Sequence, residues 1–244
     1  MDVRQVVNAL ELLEFFAERG RPASLAEVSR HFGWPRSSTF NLLGTLVNRG
    51  YLYEPRAREG YYPSPKWLPL MQRIDRAAPI PAEWQALVDT LRDQTQETAV
   101  LAAISGMQAC YIATAESAQA IRYTAPVGKL VPIHATATGR ALLSQLSEAE
   151  RSAMLRRAVF ERHTPNTLMS VDAVAQEIAA SLQRGHFQGN GEFTLDLGGV
   201  AMALPVHGRH LAVLVAGPLQ RVQPKLDEVR ACMQTEIGKL LATA

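Results

Sequence analysis

Apolar residues along the first fifty positions recur at helical spacing, whereas short strand-like runs dominate from residue 98 onward. Over residues 3–19, Val3, Val6, Val7, Leu10, Leu13 and Ala17 share one helical face, and "RGRP" stops the pattern. Ser24 followed by Glu27 is a capping-box spacing that opens a short helix, "LAEVSRHF". Gly33 breaks it. Pro35 then sits where a first helical residue tolerates a missing N–H, and the next helix runs to about Arg49. "YLYEP" and "GYYP", joined by "RARE" and Gly60, predict a β-hairpin. The order helix, helix, tight turn, helix, hairpin predicts a helix-turn-helix with the hairpin as a wing.

In the third helix the pattern places Phe40, Leu43, Leu46 and Val47 inward. Arg36, Ser37, Ser38, Asn41, Thr45 and Asn48 are left for the outer face, short hydrogen-bonding groups and one arginine with no acid among them. A helix that only met solvent would more often carry Glu and Lys at i,i+4 spacing. Charge supports a polyanionic partner. Residues 1–76 hold 11 Lys and Arg against 8 Asp and Glu, net +3, and the remainder holds 14 against 15, net −1. Between Arg30 and Lys66 there are six basic residues and two acids. Arg36, Ser37, Ser38, Asn41 and Thr45 are therefore expected to meet double-stranded DNA, with Arg56 and Arg58 of the wing on backbone or minor groove.

"PSPKWLPLMQRIDRAAPIPAEW" is a connector whose periodic middle, Trp67, Leu70, Met71 and Ile74, predicts a linking helix. Trp84, Leu87, Val88 and Leu91 mark another helix. Beyond it, "TAVLAAISG", "ACYIATAES" and "AIRYTAP" read as three strands. Helices are expected near 137–146, 148–157 and 170–184, then strands at "HFQGNGEF", "GVAMALPV" and "LAVLVAGP" with "HGRH" as the turn. Leu226, Val229, Met233, Ile237 and Leu240 form the stripe of a last helix. The fold class predicted is α+β, with a mostly antiparallel sheet flanked by helices in the C-terminal part. The domains expected are a DNA-binding domain over 1–64, a linking helix over 65–79 and a second domain over 80–244.

Composition narrows the function classes. With 47% apolar and 20% charged residues in 244, the chain can bury a core. Acids interrupt the N-terminal apolar residues, which argues against a signal peptide, and no apolar run is long enough for a membrane span. Cys110 and Cys232, two cysteines far apart, do not suggest a disulfide framework, so a cytoplasmic location is expected. His207 and His210 form an H-x-x-H spacing without further ligands nearby, so no metal is expected. His134 reads as a structural histidine. Neither a dinucleotide fingerprint nor a phosphate-binding loop occurs, which leaves no cofactor expected, and the lack of a nucleophile elbow or hydrolytic carboxylate pair argues against an enzyme.

The stretches "SLAEVSRHFGWPRSSTFNLLGTLVNRGYL", "GKLVPIHATATGRALLSQL" and "RGHFQGNGEF…GVAMALPV…LAVLVAGP" resemble the IclR-type bacterial transcription regulators over essentially the whole chain. The resemblance implies a winged helix-turn-helix, a linker helix and a GAF-like effector-binding domain, assembled as a homodimer or homotetramer. It implies an effector site at the start of the "HATATGRALL" helix, where free N–H groups beside Thr136, Ala137 and Thr138 can hold a carboxylate. Glu192, Ala201, Leu214 and Ala216 are the other positions it implies. Small polar residues in relatives that bind small acids correspond to Ala201, Leu214 and Ala216, so the pocket is expected to be apolar with one polar end. An aromatic or similarly apolar organic acid is the expected effector. The recognition helix carries Asn41 where the family usually has arginine, a change toward adenine readout. Two alternatives stay open: an enzyme acting on a small acid, and a DNA-binding oligomer without a ligand. A dimer is expected in any case, with the 67–74 stripe and the helix around Trp84 as candidate interfaces.

Overall fold

The computed structural model describes residues 3–55, 59–77, 80–206 and 208–243, and the chain divides into two compact units, 1–79 and 80–244. In the first unit, helices α1 (Arg4–Arg19), α2 (Leu25–Phe32) and α3 (Arg36–Asn48) precede a two-stranded antiparallel hairpin, β1 (Leu52–Tyr53) with β2 (Tyr62–Pro63). Helix α4 (Trp67–Ala77) follows. Ser24 and Glu27 form the expected capping box at α2: Ser24 Oγ accepts from Glu27 N, and the Glu27 carboxylate accepts from Ser24 N. Those bonds from Ser24, with Arg19 beside the carboxylate, pull the Glu27 pKa down to about 2. Gly33 ends α2 at φ 67°, a left-handed conformation in which a side chain would be strained, and this makes the tight turn into α3.

Leu12, Phe15, Phe16, Val28, Trp34, Leu43 and Leu52 form the core of this unit. Two expectations are corrected here. The apolar stripe of α1 is not its packed face: Val3, Val6 and Leu10 are exposed, because the aromatic pair Phe15–Phe16 turns the opposite side of the helix inward. Phe40 is likewise outside, 60% exposed, while Thr39 and Leu43 take the buried side of α3. Helix α4 begins with Trp67 donating from Nε1 to the Tyr51 carbonyl at 2.9 Å, and Lys66 lies over the Tyr51 ring. Its Leu68, Met71 and Ile74 are exposed.

The second unit opens with α5 (Ala82–Thr95) and strands β3 (Thr98–Ser105), β4 (Gln108–Ala115) and β5 (Leu130–Pro132). Helices α6 (Ala137–Leu143), α7 (Glu148–Arg157) and α8 (Val171–Arg184) follow. Next come β6 (Phe187–Asn190), β7 (Leu197–Val206), β8 (Arg209–Pro218), the short α9 (Leu219–Val222) and α10 (Leu226–Thr243). The six strands form one antiparallel sheet in the order β5-β4-β3-β8-β7-β6. Alternation along the strands sends Leu101, Val200, Met202, Val213 and Val215 to one face, packed with Trp84, Leu91, Val229 and Met233 of α5 and α10. Their neighbours Ala102, Ala201, Ala212 and Ala216 face Leu142, Leu143, Val174 and Ile178 of α6 and α8.

The segment "AIRYTAP" is not a strand; Leu130–Pro132 takes the edge position beside β4 instead. Tyr123 and Ala125 face inward from that irregular segment, which gave it a strand-like apolar pattern. Trp84 is 1% exposed inside the α5/α10 core and is therefore unavailable as an interface. Gly139 lets α6 lie directly on the preceding chain, since a Cβ there would overlap the Ile133 carbonyl. Glu97, 4% exposed, is held by Arg221, which also donates from Nη2 to the Ile121 carbonyl at 2.9 Å. Among the described residues no helix is long and apolar enough to cross a membrane, and no cluster of three metal-ligating side chains occurs.

Candidate functional sites

Helix α3 presents Arg36, Ser37, Ser38, Asn41, Thr45 and Asn48 to solvent. Its start is fixed by Pro35, whose carbonyl accepts from both Thr39 N and Thr39 Oγ1 at 3.0 Å, so the buried threonine ties the first turn together. Thr45 Oγ1 donates back to the Asn41 carbonyl at 2.7 Å, which leaves that hydroxyl oxygen free only as an acceptor. Ser38, Asn41 and Thr45 line a groove whose other wall is Arg4, Gln5 and Asn8 of α1. Arg56 and Arg58 lie outside the described residues.

In the second unit a pocket with about 390 Å³ of empty space, partly open to solvent, lies between α6 and the sheet. Its floor is Gly198, Gly199, Leu214 and Ala216, and Tyr111 and Tyr123 stand at one end. Glu192, Phe193, Thr194 and Leu197 close the other end, and Thr136, Ala137 and Thr138 complete the wall. Strands β4 and β6, which flank it, are four strand spacings apart, roughly 19 Å. Of the residues expected here, Thr136, Ala137, Thr138, Glu192, Leu214 and Ala216 line the pocket. Ala201 does not. It lies two residues beyond Gly199 on the same face of β7, fully buried in the core.

The two threonines differ in what their hydroxyls do. Thr136 caps α6, accepting from Gly139 N at 3.0 Å and donating to the Pro132 carbonyl at 2.9 Å. Thr138 is 1% exposed; its Oγ1 has no partner at full hydrogen-bond geometry among the described residues, but it lies close enough to the Tyr111 hydroxyl to lower that phenol's pKa. The Tyr111 and Tyr123 hydroxyls are 3.0 Å apart. Burial, and then the neighbouring Tyr123, push the Tyr111 phenol pKa far upward, so it stays neutral, and either hydroxyl of the pair can donate.

Behind Glu192 stands Arg140, fully buried. Its Nη2 donates to Glu192 Oε1 at 2.9 Å and to the Gln188 carbonyl at 2.6 Å, while Nε and Nη1 have no hydrogen-bond partner among the described residues. The loop from Gly191 to Asp196 is fastened from outside. Thr164 Oγ1 donates to the Gly191 carbonyl and Thr167 Oγ1 to the Glu192 carbonyl, each at 2.7 Å, and the His163 ring meets Phe193 edge-on. His134, 2% exposed, hydrogen-bonds the Glu161 carbonyl through Nε2, and burial lowers its pKa.

Tyr111, Tyr123, Phe193 and Arg140 were not singled out from the sequence. For Tyr111 the reason is a β-bulge. Leu101 pairs with Ala113 and Ala102 with Tyr111, so Ile112 is an extra residue and the facing of β4 switches there. Ala109 and Tyr111 point to the α6 side, Ala113 and Ala115 to the α5 side, although all four share parity. Arg140 could have been found as a charge inside an otherwise apolar helix pattern.

The comparisons with known proteins cover both units. The family described as bacterial transcriptional regulator IclR C-terminal matches residues 73–244, and the IclR helix-turn-helix domain matches residues 5–56. The acetate operon repressor of Salmonella typhimurium is 28% identical over 246 residues, covering 99% of this chain and 87% of the repressor. The crystal structure of Thermotoga maritima IclR superposes with a TM-score of 0.71 at 20% identity, over 97% of this chain and 98% of that one. An IclR homologue from Microbacterium hydrocarbonoxydans, solved with 4-hydroxybenzoate, gives 0.68 at 19% identity over 96% and 99%. At such identities the two structures show the fold. With family matches over both units and a polar helix-turn-helix face, the chain belongs to the IclR family of DNA-binding bacterial transcriptional regulators.

Proposed function

We propose that α3 enters the major groove of an operator and that a small organic acid with an apolar body, an aromatic ring above all, binds the α6 pocket and sets operator affinity. The observation that carries the effector reading is a pocket at the start of α6 that Thr138 and the Tyr111 hydroxyl line together with the apolar Leu214, Ala216 and Gly199. Tyr111, Tyr123, Thr136, Thr194 and Glu192 add polar groups around a floor suited to a flat apolar body. The neighbour solved with 4-hydroxybenzoate supports a ligand of this class. Thr136, Ala137 and Glu192 are the remaining contacts of this reading, with Ala201 supporting the floor from the core.

On the DNA side, Arg36, Ser37, Ser38 and Asn41 are assigned to bases or phosphates, Thr45 to an accepting role, and Arg56 and Arg58 to the backbone or minor groove. One module covers a half-site, so two copies on a pseudo-palindrome are part of the proposal. The exposed stripes Val3, Val6, Leu10 on α1 and Leu68, Met71, Ile74 on α4 support an interface there. A strictly monomeric species at micromolar concentration with full operator affinity would end that part.

The test is a titration of benzoate, 4-hydroxybenzoate and pyruvate against the protein and against its operator complex. The ring-bearing acids should bind, and should shift operator affinity by a coupling of about 1–3 kcal/mol. Binding of pyruvate alone would overturn the apolar-pocket reading. No response to any acid would favour the ligand-free alternative. Arg36→Ala should weaken operator binding by about 1–3 kcal/mol if Arg36 reads a base, and would weaken all duplexes alike if it meets only phosphate.

A further inference from the structure

Phe40 is the one large apolar side chain of α3 left mostly in solvent, at 60% exposure. It does not stand apart from the polar face. At 100° per residue, Arg36, Phe40 and Gly44 follow one another turn by turn, and Ser37, Asn41 and Asn48 run beside them. The packed side of the helix is opposite, at Thr39, Leu42, Leu43 and Leu46. One turn beyond the ring, a Cβ added at Gly44 would meet nothing within 4 Å among the described residues. The ring thus sits near the N-terminal end of the helix, between an arginine and an asparagine, with clearance for something to lie against it.

A base edge in the major groove offers hydrogen-bonding groups at every pair but an apolar group only at thymine, whose 5-methyl projects into the groove. We propose that Phe40 is a specificity-determining residue that reads the methyl of a thymine in each half-site. This rests on α3 being the helix in the groove. It adds a contact that the polar residues cannot make and gives the exposed ring an occupant of matching chemistry.

The test starts from duplexes selected by the full-length protein out of a random library. Each thymine of the selected site is then replaced singly by deoxyuridine, which removes the methyl and keeps the pairing edge and the O4 acceptor. At one position per half-site, affinity should fall roughly fourfold, the worth of one buried methyl group. Phe40→Ala should bind the thymine and uracil duplexes equally, and Phe40→Leu should keep part of the preference. The DNA substitution leaves the protein untouched, so a folding defect cannot imitate the result. If no replacement weakens wild-type binding, or the loss persists undiminished in Phe40→Ala, the inference falls while the placement of α3 stands. A weakened dimer in Phe40→Ala without any thymine preference in the wild type would assign the ring to protein contact and overturn it too. Failure to select any duplex would remove the placement of α3 and this inference together.

Discussion

On the α5/α10 face of the second unit's sheet, Leu101, Val200, Val213 and Val215 fill the interior. The next positions along the same strands, on the α6 face, are Ala102, Ala201, Ala212 and Ala216. Strand geometry is shared, so the difference lies in what each face must accommodate. Large side chains pack against α5 and α10 along the middle of the sheet. Small ones let α6 come down onto the sheet through Gly139 and, with Gly198 and Gly199, leave the pocket near the end of α6. One face is packed with large side chains, and the other leaves the pocket to which the proposed function assigns the effector.

Substitutions can break or sharpen that contrast. The largest effect is expected for Met233→Ala on the α5/α10 face, a loss of about 2–5 kcal/mol in denaturant unfolding with effector affinity unchanged. A change in ligand binding at unaltered stability would contradict the division. Gly139→Ala should cost about 1–3 kcal/mol by the same measurement and weaken ligand binding too, because the added methyl lifts α6 from Ile133. Thr138→Val, at nearly constant volume, should change stability by no more than about 1 kcal/mol, because its hydroxyl has only the Tyr111 hydroxyl beside it, while weakening an acid effector. A clear loss of stability would mean the hydroxyl is already engaged.

The smallest effect concerns pH. Burial lowers the His134 pKa below its ordinary 6.5. The unfolded chain therefore takes up the proton first as pH falls, and stability should decline below about pH 6.5, toward the lowered folded value. His134→Gln should flatten the melting-temperature profile in that window. An identical profile in both proteins would show that another group governs the acid limb.

Much of the element order was legible because caps, turn residues and periodicity agreed, as at Ser24, Glu27, Gly33 and Pro35. Helical faces were less so. On α1 the regular Val3–Val6–Leu10 spacing outweighed the bulkier Leu12–Phe15–Phe16 pattern that is actually packed. On α3, Phe40 looked inward because hydrophobicity alone does not distinguish a core residue from an exposed one. At the pocket, Thr138, Leu214 and Ala216 came from family resemblance. Tyr111 did not, since a single inserted residue in β4 defeats any period-two reading.

The central pairing of β3 with β8 has a consequence for how the second unit is made. Thr98 lies opposite Ala216 and Ala103 opposite Leu211, so the middle of the sheet joins segments more than a hundred residues apart. Contacts so distant in sequence slow folding, because a long loop must close before any pairing compensates for it. During synthesis from the N-terminus, α5, β3 and β4 emerge long before β8 and α10 arrive to cover them. Trp84, Leu91 and Leu101 then have no cover until β8 and α10 leave the ribosome, the kind of exposed apolar surface that favours aggregation of a nascent chain.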